Sequence, residues 1–360
     1  MKEKIKDFIQ TLKSRIKLKW KRLLSCMFPL SRRQVKGFIT IIICLVIFLS
    51  LTIFTAVKES TLYDQQAAKR WSADGGTAHI SCFYPVNMSA LDEYYFLNLE
   101  HTIETALNDA SIQAANEKAR QFCDAYSVTG TITLESEYGM TTVQTVGVAG
   151  DFFFFHPAAL LGGSYIGGDM LMQDGVLIDE DAAWQLFGSN DVTDMNVMIE
   201  GMPYHIAGVI DRDEGHFENA AGLEKSVCYV PLETLTKYGT VNGSYTYEIA
   251  MPDPVNDFAL TTVNTALNQE EEIVKVVENS RRYDFYPLLL TIKDFGIRSM
   301  SRSGIVFPYW ENIARAYEDV FAVCLFIKLI MILTVLIRLI LYIHGLRGRL
   351  KASKKGGKIL

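Results

Sequence analysis

Histidines and carboxylates in the middle of the chain are the residues whose chemistry could support metal binding or acid–base catalysis. The histidines lie at positions 79, 101, 156, 205 and 216, and none belongs to an HExxH motif, the spacing by which a helix holds catalytic zinc. A CxxC pair and a G-x-S-x-G nucleophile motif are also missing. His156 and His205 have apolar neighbours, and we interpret them as hydrogen-bonded core or edge residues. The sequence therefore predicts no catalytic residue and no enzyme activity for this chain.

The densest group of carboxylates is the segment DRDEGHFEN at positions 211–219. Clustered acids bind hard cations such as Ca²⁺, and the ligands available here would be Asp211, Asp213, Glu214, His216 and Glu218. Its spacing lacks the glycine and the terminal glutamate at the positions that an EF-hand loop requires. Because the surrounding region is acidic throughout, we interpret the segment as an acidic loop, with calcium binding as the alternative, and predict no metal and no cofactor.

Two long apolar runs determine where these residues lie. The first, 37–57, has 21 residues without a charge, and the second, 321–342, has 22 residues that include Lys328 and Arg338. A helix of this length crosses the roughly 30 Å hydrocarbon layer of a bilayer. The first run is too long and begins too late for a cleaved secretion signal. We therefore predict a two-span membrane protein with an uncleaved signal anchor.

The distribution of charge predicts the orientation. Residues 1–36 contain 12 Lys and Arg and 2 acids, and residues 343–360 contain 6 Lys and Arg and no acid. The segment 58–319 contains 15 Lys and Arg and 39 acids, a net charge of −24. Short basic flanks stay in the cytoplasm. We expect both termini to be cytoplasmic and the central segment to lie outside the plasma (cytoplasmic) membrane.

The predicted organisation follows from the spans and the local patterns. We expect a cytoplasmic basic amphipathic segment (1–36), the first transmembrane helix (37–57), an extracytoplasmic domain (58–319), the second transmembrane helix (320–343) and a basic tail (344–360). In the first segment, apolar residues from Ile5 to Met27 recur at helical spacing. This pattern is typical of a helix that lies on the anionic cytoplasmic leaflet. The alternative is a topology signal that happens to be helical.

The extracytoplasmic segment is predicted to have an α+β fold. Strands are expected at 78–84, 130–135, 141–148, 175–178, 195–199, 202–210, 226–230, 245–251 and 286–292. Helices are expected after Ser89, from Asp179 to Gly188, near Pro254, and from 307 into the second span. The stretch of about 150–225 is predicted to be a β-rich lobe inserted between two halves of the domain. Three cysteines lie outside, Cys82, Cys123 and Cys228, which allow at most one disulfide, and the sequence does not predict which two would pair.

Four consecutive phenylalanines, Phe152 to Phe155, follow Gly150 and Asp151. Asp151 is expected to cap a short helix, and adjacent helical residues point in nearly every direction, so the segment must be surrounded by protein. Each buried ring removes about 150–250 Å² from water. We therefore predict a buried contact between the lobe and the rest of the domain, with a pocket for a hydrophobic ligand as the alternative. The following glycines, Gly162, Gly163, Gly167 and Gly168, suggest tight turns or a hinge.

Four segments together resemble the extracytoplasmic core domain of MacB-type ABC transporter permeases: GVAGDFFFFHPAALLGGSY, GVLIDEDAAWQLFG, GMPYHIAGVI and YVPLETLTKYG. The Gly-Asp-Phe-Phe segment, the Leu-Phe-Gly helix end and the Gly-Val strand occur in that order in the family. The resemblance covers roughly residues 37–340 and is best between 146 and 250. It implies a membrane subunit that couples a partner ATPase to movement of the outer domain, for export or force transmission.

One departure from the family bears on the partners. MacB-type permeases carry two more spans, and the chain has no GxxxxGK[ST] motif for ATP hydrolysis. The resemblance implies an ABC-type ATPase and a multi-span permease subunit as partners, or a shortened relative with a different partner. We expect contact with the lipid bilayer, no nucleic acid, and either a homo- or a hetero-dimer. The alternative function is a membrane-anchored extracellular ligand- or peptide-binding or sensor module.

Lys328 lies too deep in the second span to reach the headgroups easily. A charge at that depth costs about 2.5–3.5 kcal/mol on insertion scales, and the first run contains no acid to pair with it. Lys328 either extends its ammonium towards the outer headgroups or meets an acid or backbone carbonyls on a partner helix. Arg338, near the inner end, can reach the headgroups.

Overall fold

The computed structural model describes residues 32–72, 75–88, 91–114, 119–167, 172–268, 273–295, 301–302 and 304–356. The chain divides into two compact units: Met1–Val57 with Val323–Leu360, here called the span unit, and Lys58–Ala322, here called the outer domain. The predicted surface helix from Ile5 to Met27 lies outside the described residues, as do Ser89 and Gly168.

Within the described residues, the helices are α1 (Arg32–Thr61), α2 (Ala67–Trp71), α3 (Glu93–Asp109), α4 (Phe152–Phe155), α5 (Glu180–Phe187), α6 (His216–Glu218), α7 (Leu232–Tyr238), α8 (Phe258–Leu267), α9 (Phe285–Asp294) and α10 (Tyr309–Gly356). The strands are β1 (Thr77–Phe83), β2 (Cys123–Glu135), β3 (Met140–Gly150), β4 (Ala159–Gly163), β5 (Gly175–Asp179), β6 (Asn196–Ile199), β7 (Met202–Asp211), β8 (Val227–Pro231), β9 (Thr240–Val241), β10 (Thr246–Pro252), β11 (Lys275–Glu278), β12 (Ser301–Arg302) and β13 (Ile305–Val306). A 3₁₀ turn, Tyr63–Gln65, lies between α1 and α2, and a π-helical turn, Asn219–Leu223, follows α6.

The span unit contains two helices that are long and apolar enough to cross a membrane, which agrees with the two predicted spans. They are antiparallel, because Phe38 near the start of α1 packs against Tyr342 of α10, with ring centroids 5.4 Å apart. At the other end, Lys328 Nζ donates a hydrogen bond to Thr55 Oγ1 at 3.1 Å. Lys328 therefore has a partner on the first span that the sequence did not predict, a hydroxyl rather than an acid.

Among the described residues of the outer domain, eleven strands form one mixed sheet, which confirms the predicted α+β fold. Its main path runs β11-β1-β10-β2-β3-β8-β5-β7-β4, with β6 and β9 paired at the side. Strands β3 and β8 are parallel, as are β5 and β7, and the other pairs are antiparallel. Strands β12 and β13 form a separate hairpin.

The two larger hydrophobic clusters of the described residues lie on this sheet. At one end, helices α3 and α8 pack on β1 and β10, where Phe96 stacks on Tyr126 with ring centroids 4.4 Å apart. At the other end, β5, β6, β7 and α5 enclose the second cluster, which also includes Val128 and Ile132 of β2. The β-rich region around 150–225 therefore has a core of its own, and that core also draws on the long strands of the main sheet.

Several element ends follow the predicted local chemistry. The Asp179 side chain accepts a hydrogen bond from Ala182 N at the start of α5, and Gly188 ends the helix with φ 68°. Strands β6 and β7 are joined at Glu200 and Gly201, which both have positive φ, 46° and 77°. Two successive positive φ values are the geometry of a type I′ hairpin turn. These predictions are confirmed.

Three predicted elements differ in the structure. Helix α3 begins at Glu93 and is capped by Asp92, not by Ser89, because Asp92 is itself a good capping residue immediately before the apolar stripe. The helix expected near Pro254 begins at Phe258. The strand predicted at 286–292 is wrong, since these residues lie within helix α9. Its apolar run does not alternate, and Pro287 is tolerated in the first turn of a helix.

Cys82, Cys123 and Cys228 are all buried and free, so no disulfide joins them. Burial raises the pKa of the Cys228 thiol to about 12, despite a hydrogen bond with Thr145. Burial likewise raises the pKa of Cys82 and Cys123 far above the ordinary value. Reactivity requires the thiolate, so these three thiols are inert in the folded domain and become reactive when it unfolds.

Gly163 is expected to be intolerant of a side chain, whereas Gly162 is not. Both lie in β4, paired with β7. Gly163 has φ +79°, and a Cβ there would lie 2.1 Å from the Ala207 carbonyl oxygen, whereas a Cβ on Gly162 would meet only Thr193 Oγ1 at 3.6 Å. We expect Gly163→Ala to destabilise the domain by about 2 kcal/mol or more, and Gly162→Ala by less than about 0.5 kcal/mol. Thermal unfolding of both variants in detergent measures this, and equal midpoints would contradict the expectation.

Candidate functional site

Buried charged and polar side chains meet in the outer domain, although the sequence predicted no site there. The first group is here called the histidine–carboxylate cluster and consists of Asp64, His79, Ser81, His156 and Glu248. Glu248 lies on β10 and is 2% exposed, and His79 of β1 is fully buried. Because Ser81 of β1 is the register partner of Glu248 in the antiparallel pair, the two side chains lie on the same face of the sheet.

Glu248 is the centre of this cluster. Its Oε1 accepts hydrogen bonds from Ser81 Oγ at 2.7 Å and from His79 Nε2 at 3.2 Å. Its Oε2 accepts one from His156 Nε2. The other ring nitrogen of His156, Nδ1, lies 3.1 Å from Asp64 Oδ1. Glu248 thus joins β10 to β1 and to His156, in the segment that follows α4. His156 in turn connects the cluster to Asp64 in the 3₁₀ turn that follows α1.

The two histidines of the cluster carry different charges at neutral pH. Burial lowers the pKa of His156, but the Glu248 and Asp64 carboxylates raise it by more, to about 9, so His156 is a cation. For His79, burial outweighs the hydrogen bond with Glu248 and lowers the pKa. Its Nδ1 is buried without a hydrogen-bond partner, so a proton there would be a buried, unsatisfied N–H, which favours the neutral ring with its proton on Nε2. The pKa of Glu248 is lowered, since burial raises it by less than the two histidines lower it.

The stability of the outer domain is expected to fall as the pH rises through about 9, the pKa of His156 in the folded protein. A pKa raised by folding contributes stability that is complete below the unfolded value, about 6.5, and is lost as the ring deprotonates. Unfolding midpoints from pH 7 to about 10 measure the effect. The His156→Gln variant, which cannot titrate there, should show a shallower fall. Parallel curves for the two proteins would contradict the assignment.

A second group, here called the arginine cluster, surrounds Arg282, which is 5% exposed. Arg282 Nη1 and Nη2 donate to the two carboxylate oxygens of Glu311, each at 2.6 Å, and its Nε donates to Glu318. Nη1 also lies 3.4 Å from Gln65 Oε1. Such paired, parallel hydrogen bonds between a guanidinium and a carboxylate are strong and directional. Arg282 therefore fixes the beginning of α10, which carries both glutamates.

Asn279 joins the two clusters into one buried network. Its Nδ2 donates to Ser81 Oγ at 2.6 Å, and its Oδ1 accepts from Arg282 Nη1 at 2.9 Å. The network therefore extends from Asp64, just after α1, through β10 and β1, to Glu318 on α10. It connects the two segments of the outer domain that continue directly into the membrane spans.

The phenylalanine segment forms an apolar contact beside this network. Phe152 and Phe155 are buried, and Phe152 packs against Trp310 at the start of α10, with ring centroids 5.6 Å apart. Arg70 of α2 donates to the carbonyl oxygens of Phe154 at 2.7 Å and Phe155 at 3.0 Å. The predicted short, surrounded helix is confirmed, but the predicted cap is wrong, because the Asp151 side chain pairs with Arg120 instead of capping α4.

The residues proposed from the sequence for metal binding do not converge. In the part of the chain that the structure describes, no three His, Cys, Asp or Glu side chains are arranged to hold a metal ion. Arg212, within the acidic segment 211–219, instead pairs with Asp179 at 2.6 Å and Asp181 at 2.7 Å. His205 lies 3.4 Å from Asp174 and is partly exposed. His156 is buried and hydrogen-bonded, as the sequence predicted.

Most of the network could not be found from the sequence. Arg282 and Glu311 are 29 residues apart, and His156 and Glu248 are 92 apart, so no local spacing reports their contact. One signal was available: Glu248 and His79 interrupt otherwise apolar strands, YTYEIAM and AHISCFY. A charged residue in a buried strand requires a partner.

Three of the solved structures that resemble this chain are domains of MacB, of an ABC-type transporter and of a permease. The periplasmic region of MacB from Actinobacillus actinomycetemcomitans is 14% identical with a TM-score of 0.41, and the match covers 62% of this chain and 95% of that chain. The extracellular domain of the noncanonic ABC-type transporter YknZ from Gram-positive bacteria is 18% identical with a TM-score of 0.35. The match covers 55% of this chain and 99% of that chain. The outer domain is similar in fold to MacB-type domains. A domain of a permease protein from Porphyromonas gingivalis is 15% identical with a TM-score of 0.33. The match covers 56% of this chain and 89% of that chain.

The likeness to these MacB-like domains concerns the fold alone. A scan against protein-family models finds no match, and a search of curated proteins finds no relative. Two helices of the described chain are long and apolar enough to cross a membrane. The comparisons assign no role to the chain.

Proposed function

We propose that this chain is the membrane subunit of a MacB-like ABC transporter system that couples a partner ATPase to movement of the extracytoplasmic domain, for export or force transmission. The four sequence segments that resemble MacB-type permeases support this proposal. The chain itself acts as a mechanical part and leaves ATP hydrolysis to the partner. The basic flanks 1–36 and 343–360 would place both termini in the cytoplasm, where the ATPase is.

The buried network is the observation that carries the proposal. It ties two segments to the same strands of the sheet. One is the turn after α1, through Asp64 and Gln65, and the other is the start of α10, through Glu311 and Glu318. The Phe152–Trp310 contact and the Arg70 hydrogen bonds add a second connection at the same place. Displacement of either connecting segment would therefore be passed to the sheet instead of being absorbed by a loose linker. A binding module that is only anchored in the membrane has no need of such a connection.

Purification of the tagged chain from its native membranes in mild detergent tests the proposal. Mass spectrometry should identify a nucleotide-binding ATPase and a multi-span subunit among the copurified proteins. Recovery of the chain alone, or only with secreted peptides, would overturn the ABC role.

Lys328 is expected to contribute to assembly with the multi-span subunit. Its ammonium has three N–H donors, and Thr55 Oγ1 accepts from it at 3.1 Å, which leaves donors for an acid or carbonyl on a partner helix. We expect Lys328→Leu to reduce copurification of that subunit several-fold, because a charge in the apolar span is stabilised by a partner. Arg338→Leu, near the inner end, is the matched control and should have little effect. Equal recovery from both variants would show that Lys328 is not a contact.

A cleft favours the second candidate, an extracellular ligand- or peptide-binding module. The cleft has a volume of about 720 Å³, and its walls include Tyr126, Tyr245, Asp92, Glu93 and Glu233. Two aromatic rings and three carboxylates would suit a cationic peptide. Titration of the purified chain with a basic peptide, with Glu233→Gln as the variant, tests this candidate independently of the ATPase.

A further inference from the structure

Helix α9 exposes a continuous apolar face on the outer domain. Phe285 is 58% exposed, Tyr286 67%, Leu289 39% and Leu290 41%, whereas Leu288 and Thr291 on the opposite face are buried. Residues one, four and five positions apart on a helix lie on adjoining parts of its surface. The exposed side chains therefore form one patch, here called the α9 face.

An apolar outward face is unusual for a helix of a soluble domain. Such helices bury one apolar stripe and present charged residues to water, and exposed apolar patches mark sites of contact with protein, ligand or membrane. On the α9 face the charged residue is Lys293, one turn beyond Leu289 and exposed. Phenylalanine and leucine with a flanking tyrosine and lysine are typical of helices that lie in a membrane interface.

The residues immediately before α9 place it beside the membrane. Arg282 binds Glu318 of α10, and the ring of Tyr283 packs against Phe321, with centroids 5.0 Å apart. The Tyr283 hydroxyl also lies 3.4 Å from the Ala314 carbonyl oxygen. Phe321 is the first residue of the second apolar run. Helix α9 therefore begins at the level where the chain enters the bilayer.

We propose that α9 lies in the outer interface of the lipid bilayer, with the α9 face among the upper acyl chains and headgroups. Phe285, Leu289 and Leu290 insert into the apolar layer, while the Tyr286 hydroxyl and the Lys293 ammonium remain with the headgroups. The outer domain then contacts the membrane through a surface helix in addition to its two connecting segments. Because Arg282 fixes both α9 and α10, movement of the domain relative to the spans would also move α9 in the lipid.

A nitroxide label at position 289 tests the contact. The full chain with Leu289→Cys is labelled, reconstituted into phosphatidylcholine vesicles, and measured for collision with oxygen, which concentrates in lipid, and with a water-soluble nickel chelate. Leu97→Cys on α3 is the matched control, because Leu97 is a leucine that is 51% exposed on another helix of the same domain. The wild-type chain, carried through the same labelling, corrects for labelling of native cysteines.

The proposal expects a several-fold higher ratio of oxygen to nickel collisions at position 289 than at position 97. Equal ratios would place α9 in water and overturn it. Shielding of position 289 from both reagents would also overturn it, since a protein surface would then cover the α9 face. Cys82, Cys123 and Cys228 are buried, so label at these thiols would identify a misfolded sample to be discarded. The measurement uses the chain alone, so its failure is distinct from failure of the ABC role.

Discussion

Glu248→Gln is expected to destabilise the outer domain by about 3–5 kcal/mol, because it removes the charge that neutralises a buried cation. His156 donates to Glu248 and, with the Glu248 and Asp64 carboxylates beside it, has a pKa of about 9. In the variant, His156 must either remain charged with only Asp64 as its partner or lose its proton. A glutamine of the same size leaves the packing unchanged, so the effect reports the charge together with the one acceptor oxygen that the amide nitrogen replaces.

The unfolding of this variant can be followed by the reactivity of buried thiols. Cys82 and Cys228 are buried and free in the outer domain and react with a maleimide only when the domain opens. A loss of 1 kcal/mol lowers the midpoint by roughly 2–4 °C for a domain of this size, so the expected shift is on the order of 10 °C. Glu233→Gln, at an exposed position on α7, is the control and should leave the midpoint unchanged. A shift of less than about 2 °C for Glu248→Gln would show that the cluster does not stabilise the fold.

Arg282→Leu is expected to have an effect of similar or larger size, since it removes the guanidinium that binds the carboxylates of Glu311 and Glu318. Glu311 is 3% exposed, and Glu318 keeps its side chain largely buried. Breaking a buried ion pair by removing one partner typically costs about 3–5 kcal/mol. Arg282→Lys should restore only part of the loss, because an ammonium cannot make the paired hydrogen bonds of a guanidinium.

The neighbouring arginine provides a matched control for this experiment. Arg281 is partly exposed and pairs at 2.7 Å with Asp253, whose buried carboxylate also accepts a hydrogen bond from Ala259 N. Because water reaches Arg281 and Asp253 keeps this second donor, Arg281→Leu should lower the unfolding midpoint by less than Arg282→Leu does. The double variant Arg282→Leu with Glu311→Leu should recover part of the stability, because it removes the unpaired charge. Similar losses from Arg281→Leu and Arg282→Leu would indicate a packing effect that both positions share.

The Arg282→Lys variant also tests the proposed coupling between the spans and the outer domain. Arg282 connects Asn279 near the sheet to Glu311 and Glu318 of α10. Arg282→Lys keeps the charge but loses the paired hydrogen bonds. If the network passes displacement from the spans to the sheet, this variant should reduce transport by the membranes more than it reduces the amount of ATPase that copurifies with the chain.

Local chemistry was sufficient to predict much of the secondary structure. The Asp179 cap, the Gly188 end and the Glu200-Gly201 turn were read from short segments, since these features depend on neighbouring residues. The segment 286–292 shows where this fails. Its run of leucines fits a buried strand or a helix equally, and only the packing of Leu288 and Thr291 beneath α9 distinguishes them.

By itself, the sequence determined the two apolar runs, the acidic character of the segment between them and most of its strands, because each depends on composition or on neighbouring residues. The network of Asp64, His156, Glu248, Asn279 and Arg282 was decided only by the tertiary structure. Its members come from segments up to 217 residues apart, as with Arg282 and Gln65. A buried charge is stable only beside its partner, and the strand pairing of β1 with β10 and the docking of α10 bring those partners together.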